Sequence, residues 1–300
     1  FSWLYQNHPL LSDEKKGWTI SLLSELHRTA DSSLFRTDEK GWPLIEGKHF
    51  NQFIPDFEKP TFTISPEEGL KRTAKHREYR GVNKQVHENV RLAFRNVASS
   101  TNVRSMMACI LPPKSFSPHS AAIALPKKKE EVLIGTEYLR MVAYLAGVLN
   151  SMVFDFLIRT RNTMNVSFFY VYQTPVPSSM DGEIPAQVAH ISARLSSVDE
   201  RFQEFASALG VQCSPLTARE RIELTARLNA LMAKHYSLSR KQLEIILQSF
   251  EGFKENKKLE KLKEIEWDDT LIRQFNGEAR KKVLPYFDSL NSQETRVKSG

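Results

Sequence analysis

The sequence predicts an α+β protein: a mixed-sheet domain followed by an all-α helical domain. Three observations carry this expectation. Before residue 180, short runs of β-branched and aromatic residues are cut by Pro and Gly, the texture of strands. After it, apolar residues recur with helical period, and two capping boxes open runs of Leu and Ile. The 300 residues, 41% apolar and 26% charged, supply enough core for two modest domains.

Taken in order, residues 1–40 read as a lead-in, with short apolar runs at 18–23 and 32–35 broken by polar turns. The chain begins Phe1-Ser2-Trp3 without an initiator Met, which suggests a piece of something longer. Residues 41–180 form the expected mixed α/β domain. Strand text runs over 43–50 and 60–64, and Val86, Val90, Phe94 and Val97 predict a helix over 84–98. Residues 106–111 and 121–125 read as buried strands, 127–131 as a polar turn and 137–158 as one long apolar helix. That helix contains Arg140, Asn150 and Asp155, so a core helix is expected, with no membrane span. Phe168-Phe169-Tyr170-Val171-Tyr172 reads as a strand stopped by Pro175 and Pro177.

The helical domain is expected over 181–290. Residues 185–197 and 199–209 look helical. Thr217-Ala218-Arg219-Glu220 and Ser239-Arg240-Lys241-Gln242 are capping boxes, and Gly252 is a stop signal. The charged stretch 253–269 should be partly helical, and 291–300 a frayed tail.

Several chemistries are excluded or weak. The 12 glycines include no Gly-x-Gly, which removes dinucleotide and P-loop fingerprints and the glycine loop of most S-adenosylmethionine sites. Two distant cysteines, Cys109 and Cys213, exclude a disulfide framework and a cysteine zinc site, and suggest a reducing, cytoplasmic setting. Pro112-Pro113 is followed by Lys114, unlike an amino-methylation motif. Asp31 with Glu46-Gly47-Lys48 fits the spacing of a Mg-dependent nuclease, although similar triplets recur at this charge content.

Binding chemistry is better represented. Net charge is +7, and it is local. Residues 71–104 hold nine cations, Lys71, Arg72, Lys75, Arg77, Arg80, Lys84, Arg91, Arg95 and Arg104, against Glu78 and Glu88 alone. Six are arginines, whose planar fork suits phosphates and guanine edges. Ser99-Ser100-Thr101-Asn102-Val103-Arg104 forms one polar cluster, and Asp155, Arg159, Arg161, Asn162 and Asn165 form a second.

These clusters and the phrases around them carry a resemblance. Asp31-Ser32-Ser33-Leu34-Phe35-Arg36, then Pro43-Leu44-Ile45-Glu46-Gly47-Lys48-His49-Phe50-Asn51-Gln52-Phe53, resemble the entry to the specificity region of Type IIG restriction–modification enzymes and related adenine-N6 DNA methylases. The likeness continues through Tyr79-Arg80, Arg95 to Arg104, Ile110-Leu111-Pro112-Pro113, Leu149-Asn150-Ser151, Phe154-Asp155, Asn165 to Phe169 and Thr174-Pro175-Val176-Pro177. The stretch from Pro185 to Gly252 is similar to the family's C-terminal part, so the resemblance covers roughly residues 18 to 285. Where the family has Gly-Gly before the asparagine matched by Asn165, this chain has Thr163-Met164.

The resemblance implies a target-recognition region that reads double-stranded DNA. The methyltransferase, its S-adenosylmethionine and any Mg-dependent nuclease would lie upstream in the parent protein. This region itself would carry no catalytic residue, metal or cofactor. Expected phosphate contacts are Lys48, Arg77, Arg80, Arg91, Arg95, Arg104 and Arg161. Expected base readers are His49, Gln52, Asn102, Asn162 and Asn165. The alternatives are a nuclease using Glu46 and Lys48, and a protein-interaction module without DNA contact.

Overall fold

The computed structural model describes residues 1–13, 20–38, 40–97, 103–128, 131–161, 165–178, 181–250 and 269–298. At its centre is an antiparallel sheet of β1 (Ile20–Leu23), β4 (Arg91–Arg95), β5 (Ala108–Leu111) and β6 (Ala121–Lys128), in the order β1-β6-β4-β5. The register sets Leu22 and Leu92 against Ala124 on either side of β6, and Phe94 against Ala108 on β5. β7 (Glu131–Val132) folds back on the far end of β6. β2 (Trp42–Pro43) and β3 (Thr63–Ile64) form a separate two-stranded ladder.

Side-chain alternation divides the sheet cleanly. Ile20, Leu22, Leu92, Phe94, Ala108, Ile110, Ala122 and Ala124 enter one core. Their neighbours Leu23, Ala93, Cys109, Leu111, Ala121, Ile123 and Leu125 enter another, with Ile45, Phe50, Tyr79 and Val86. Both faces are therefore covered. The second face is roofed by 45–50, by the turn at Tyr79 and by α3 (Asn83–His87), while α2 (Pro66–Thr73) packs through Leu70 on a separate cluster with Leu44, Ile64 and Phe116.

The first face carries helices. α1 (Ser2–Asn7) lies beside α4 (Gly135–Asn150), α5 (Met152–Arg159) and α6 (Phe168–Tyr172) in the same core. α7 (Glu183–Ser196), α8 (Gln203–Ala208), α9 (Ala218–His235), α10 (Arg240–Gln248) and α11 (Asp269–Lys298) complete the layer. One apolar cluster runs from Leu92 and Tyr144 through Val188, Leu228 and Phe250 to Phe287, so packing is continuous across residue 180.

Four of these expectations need correction. Residues 84–98 are a short helix and a strand, and Phe168–Tyr172 is a helix capped by Ser167, whose side chain accepts from the Phe169 amide at 3.2 Å. The apolar run 137–158 breaks at Ser151, and the two helices meet at 56°. There the Ser151 hydroxyl accepts from the Phe154 amide and the Met152 amide donates to Asn229, so both freed backbone groups are satisfied. The expected tail from 291 continues as helix to Lys298. α11 is held to α9 by Lys282 on Glu223, by Tyr286 donating to Glu223 and by Lys234 donating to the Leu290 carbonyl. Both expected capping boxes form, at Thr217 and Ser239. Gly252 and 253–268 lie outside the described residues. Among those described, no single helix is long and apolar enough to cross a membrane.

Candidate nucleic-acid interface

The sheet distributes the cations of 71–104 to three places. Arg91 and Arg104 go inside. Arg91 starts β4 and is fully buried on the side of Glu25, with which it forms an ion pair. Glu25 also accepts from Tyr79 and from the Ser117 amide and hydroxyl, and His87 Nε2 lies 3.2 Å away. Burial would raise the Glu25 pKa, but Arg91 and then His87 hold it well below the usual carboxylate range. Arg104 is equally interior: it donates to Asp155 at 2.5 Å and to the Asn150 carbonyl at 2.6 Å. Asp155 also accepts from the Ser105 and Met106 amides, and the Asn150 side chain pairs both ways with the Ala108 backbone at 2.9 Å. Arg104 of the first expected polar cluster and Asp155 of the second thus meet, but as struts of the core. Neither guanidinium reaches a phosphate from there, which corrects those two assignments.

Arg77 and Arg80 are exposed but belong to the far end of the sheet, in a groove they share with Glu78, Glu131 and Glu137. Arg95 is half-buried, donates to the Phe50 carbonyl at 2.8 Å and lies over the Phe50 and Phe57 rings. Arg161, also half-buried, donates to Thr174 at 2.8 Å and covers Tyr5 and Tyr170.

Base-reader assignments separate in the same way. His49 is 1% exposed and faces the interior, so it cannot read a base edge. The Glu46 amide donates to its Nδ1 at 3.0 Å, leaving the neutral ring's proton on Nε2, 3.7 Å from a Glu46 carboxylate oxygen. Burial, then Lys48, Arg28 and Arg95, push its pKa down to about 4, so the ring is neutral at pH 7. Gln52 spends its amide on the Met106 and Asn150 carbonyls, at 3.0 and 3.5 Å. Asn102 and Asn162 lie outside the described residues. Asn165 is exposed and pairs with Val97 in a backbone bridge; next to it the Val166 amide donates to the Asn96 carbonyl at 2.8 Å. The flanks of the two asparagine-bearing segments are therefore joined at the near end of the sheet, where β4 finishes.

That end gathers further polar side chains. Gly47–His49 makes a single 3-10 turn that sets Lys48 outward. A Cβ on Gly47 would meet the Ser120 carbonyl at 2.5 Å, so glycine permits the turn to seat against β6's lead-in. Arg28 and Lys48, both exposed, converge on the buried Glu46 carboxylate; Lys48 Nζ is 3.9 Å from it, and Arg28 forms the closer pair. A bridge between Leu26 and Pro118 brings His27 beside His119, their rings stacked at 6.4 Å. His119 Nδ1 lies 3.2 Å from the Ser24 hydroxyl, and the Asn96 amide nitrogen 3.2 Å from Nε2. Sequence reasoning missed His27, Arg28 and His119 because the first two stand far from the third in the chain and only the Leu26–Pro118 bridge unites them.

For the nuclease alternative, Asp31 is held by Arg72 at 2.6 Å and Glu46 by Arg28. Among the described residues no group of three His, Cys, Asp or Glu side chains is placed to hold a metal ion. Comparison of the chain with models of protein families and with curated proteins gives no match.

Proposed function

We propose that this chain is a sequence-specific, double-stranded-DNA recognition region, the C-terminal specificity part of a cytoplasmic Type IIG restriction–modification enzyme or adenine-N6 DNA methylase. The observation that carries the proposal is the bridge between Val97 and Asn165. In the sequence Val97 and Asn165 flank two segments rich in hydroxyl and amide side chains, and the bridge joins those flanks at one sheet end. Short side chains of that kind bond base edges and phosphate oxygens. Asn165 remains the exposed reader, and Asn102 and Asn162 sit on the segments whose flanks are paired. Lys48 supplies phosphate contact at the same end, with Arg95 behind it, and Arg161 adds a contact beside Tyr5 and Tyr170. Arg77 and Arg80 can meet backbone only at the other end.

In the parent, the region would hold a duplex in register while one adenine turns out into the methyltransferase pocket. S-adenosylmethionine would belong to that upstream domain. This chain has no Gly-x-Gly turn of the kind that holds it. The test is selection of duplexes from a random-sequence pool by the chain itself. Enrichment of one short motif is expected, with each mismatch costing about 1–3 kcal/mol. Binding without enrichment, or no binding at low salt, would overturn the proposal.

A further inference from the structure

We infer that His27, Arg28, Lys48 and His119 form the phosphate seat of this surface, and that its hold on a duplex strengthens as the two histidines gain protons. The inference rests on the DNA-binding function proposed above. It replaces the buried Arg91 and Arg104 with a set drawn from three separate stretches of chain.

The geometry is mutually braced. The Leu26–Pro118 bridge and the His119 amide donating to the Leu26 carbonyl at 2.9 Å lock the two histidine stretches together. The Gly47 amide donates to the Ser120 hydroxyl at 3.2 Å, which fixes the Lys48 turn one residue from His119. All four side chains are exposed. The charged groups around them are few. Glu46 offsets one of the two permanent cations, Asp31 is neutralised by Arg72, Arg95 adds charge from β4, and His49 is buried and neutral. The patch is therefore cationic at neutral pH and becomes more so when the imidazoles protonate. When protonated, the two stacked rings carry like charge and favour an anion above them. A phosphodiester supplies such an anion at every nucleotide, and each phosphate neutralised contributes about −0.9 to the log–log salt slope on duplex DNA.

The test uses the full chain and a fluorescent random-sequence duplex, with affinity read by anisotropy against salt at about pH 6 and about pH 8. Wild type is expected to bind about fivefold tighter at the lower pH, with a salt slope steeper by up to about 1.8. H27Q/H119Q should lose the gain at the lower pH. R28Q/K48Q should weaken binding at both and flatten the slope. Thermal melting of both variants checks that folding is intact. A double histidine variant that retains the whole pH gain, or an R28Q/K48Q chain with the wild-type slope, overturns the inference while leaving DNA binding standing. Absence of duplex binding by wild type at either pH instead removes the DNA function on which it rests.

Discussion

Arg91 shows how a cation can be bound by its neighbours in space against its neighbours in sequence. It opens a strand whose two faces are both covered, so its side chain has only the interior to enter, and Glu25 on the 24–26 segment is there to meet it. A buried pair of this kind contributes little net stability, but breaking it is costly, because one charge remains without water or partner. Glu25→Gln is expected to lose about 3–5 kcal/mol in chemical denaturation, and the loss should be largest near neutrality. The sign follows from linkage. The folded-state pKa of Glu25 is depressed below 4.5, so its contribution is present above about pH 4.5 and fades as pH falls below that value. A variant of unchanged stability would mean that the carboxylate is not ionised beside Arg91. His49 acts in the same direction through a different cause. Burial lowers its pKa from 6.5 to about 4, and its share of stability falls across that interval on acidification.

At the scale of elements, the sequence was most legible where local chemistry decides. Both capping boxes form because their hydrogen bonds lie within four residues. It was least legible where spacing is ambiguous. Val86, Val90 and Phe94 recur every four residues, which suits a helix but is also twice the period of a strand, and Val90, Leu92 and Phe94 in fact share a sheet face. The aromatic run 168–172 is too short to show a period at all. Its helix is chosen by the Ser167 cap and by Tyr172, whose hydroxyl accepts from the Leu22 amide at 2.8 Å. Gly47 is a third case, since its need for glycine comes from Ser120, far along the chain. Gly47→Ala is expected to cost about 1–3 kcal/mol, as overpacking does, and to weaken duplex binding by moving Lys48. Denaturation and anisotropy on one preparation would check both effects, and unchanged values in both would show that the turn is not seated on Ser120.

Across the whole molecule, the expected α+β order is present, a sheet-bearing part followed by helices. What the one-dimensional charge count could not show is orientation. Residues 71–104 thread through α2, α3 and β4, so their cations end up in the core, near one sheet end and near the other. The two ends of β6 alone are roughly 23 Å apart, at about 3.3 Å per residue. The flanks of the asparagine segments, in contrast, lie together, because Val97 and Asn165 are paired. The central claim is that the near end, and not the arginine run as a whole, faces DNA. Hydrogen exchange of the chain with and without a duplex measures this most directly. Protection is expected at residues 24–28, 46–49, 95–97, 119–121 and 165–167, with no change at 77–82 and 131–134. Protection confined to 77–82 and 131–134, or spread evenly over the chain, would contradict the claim.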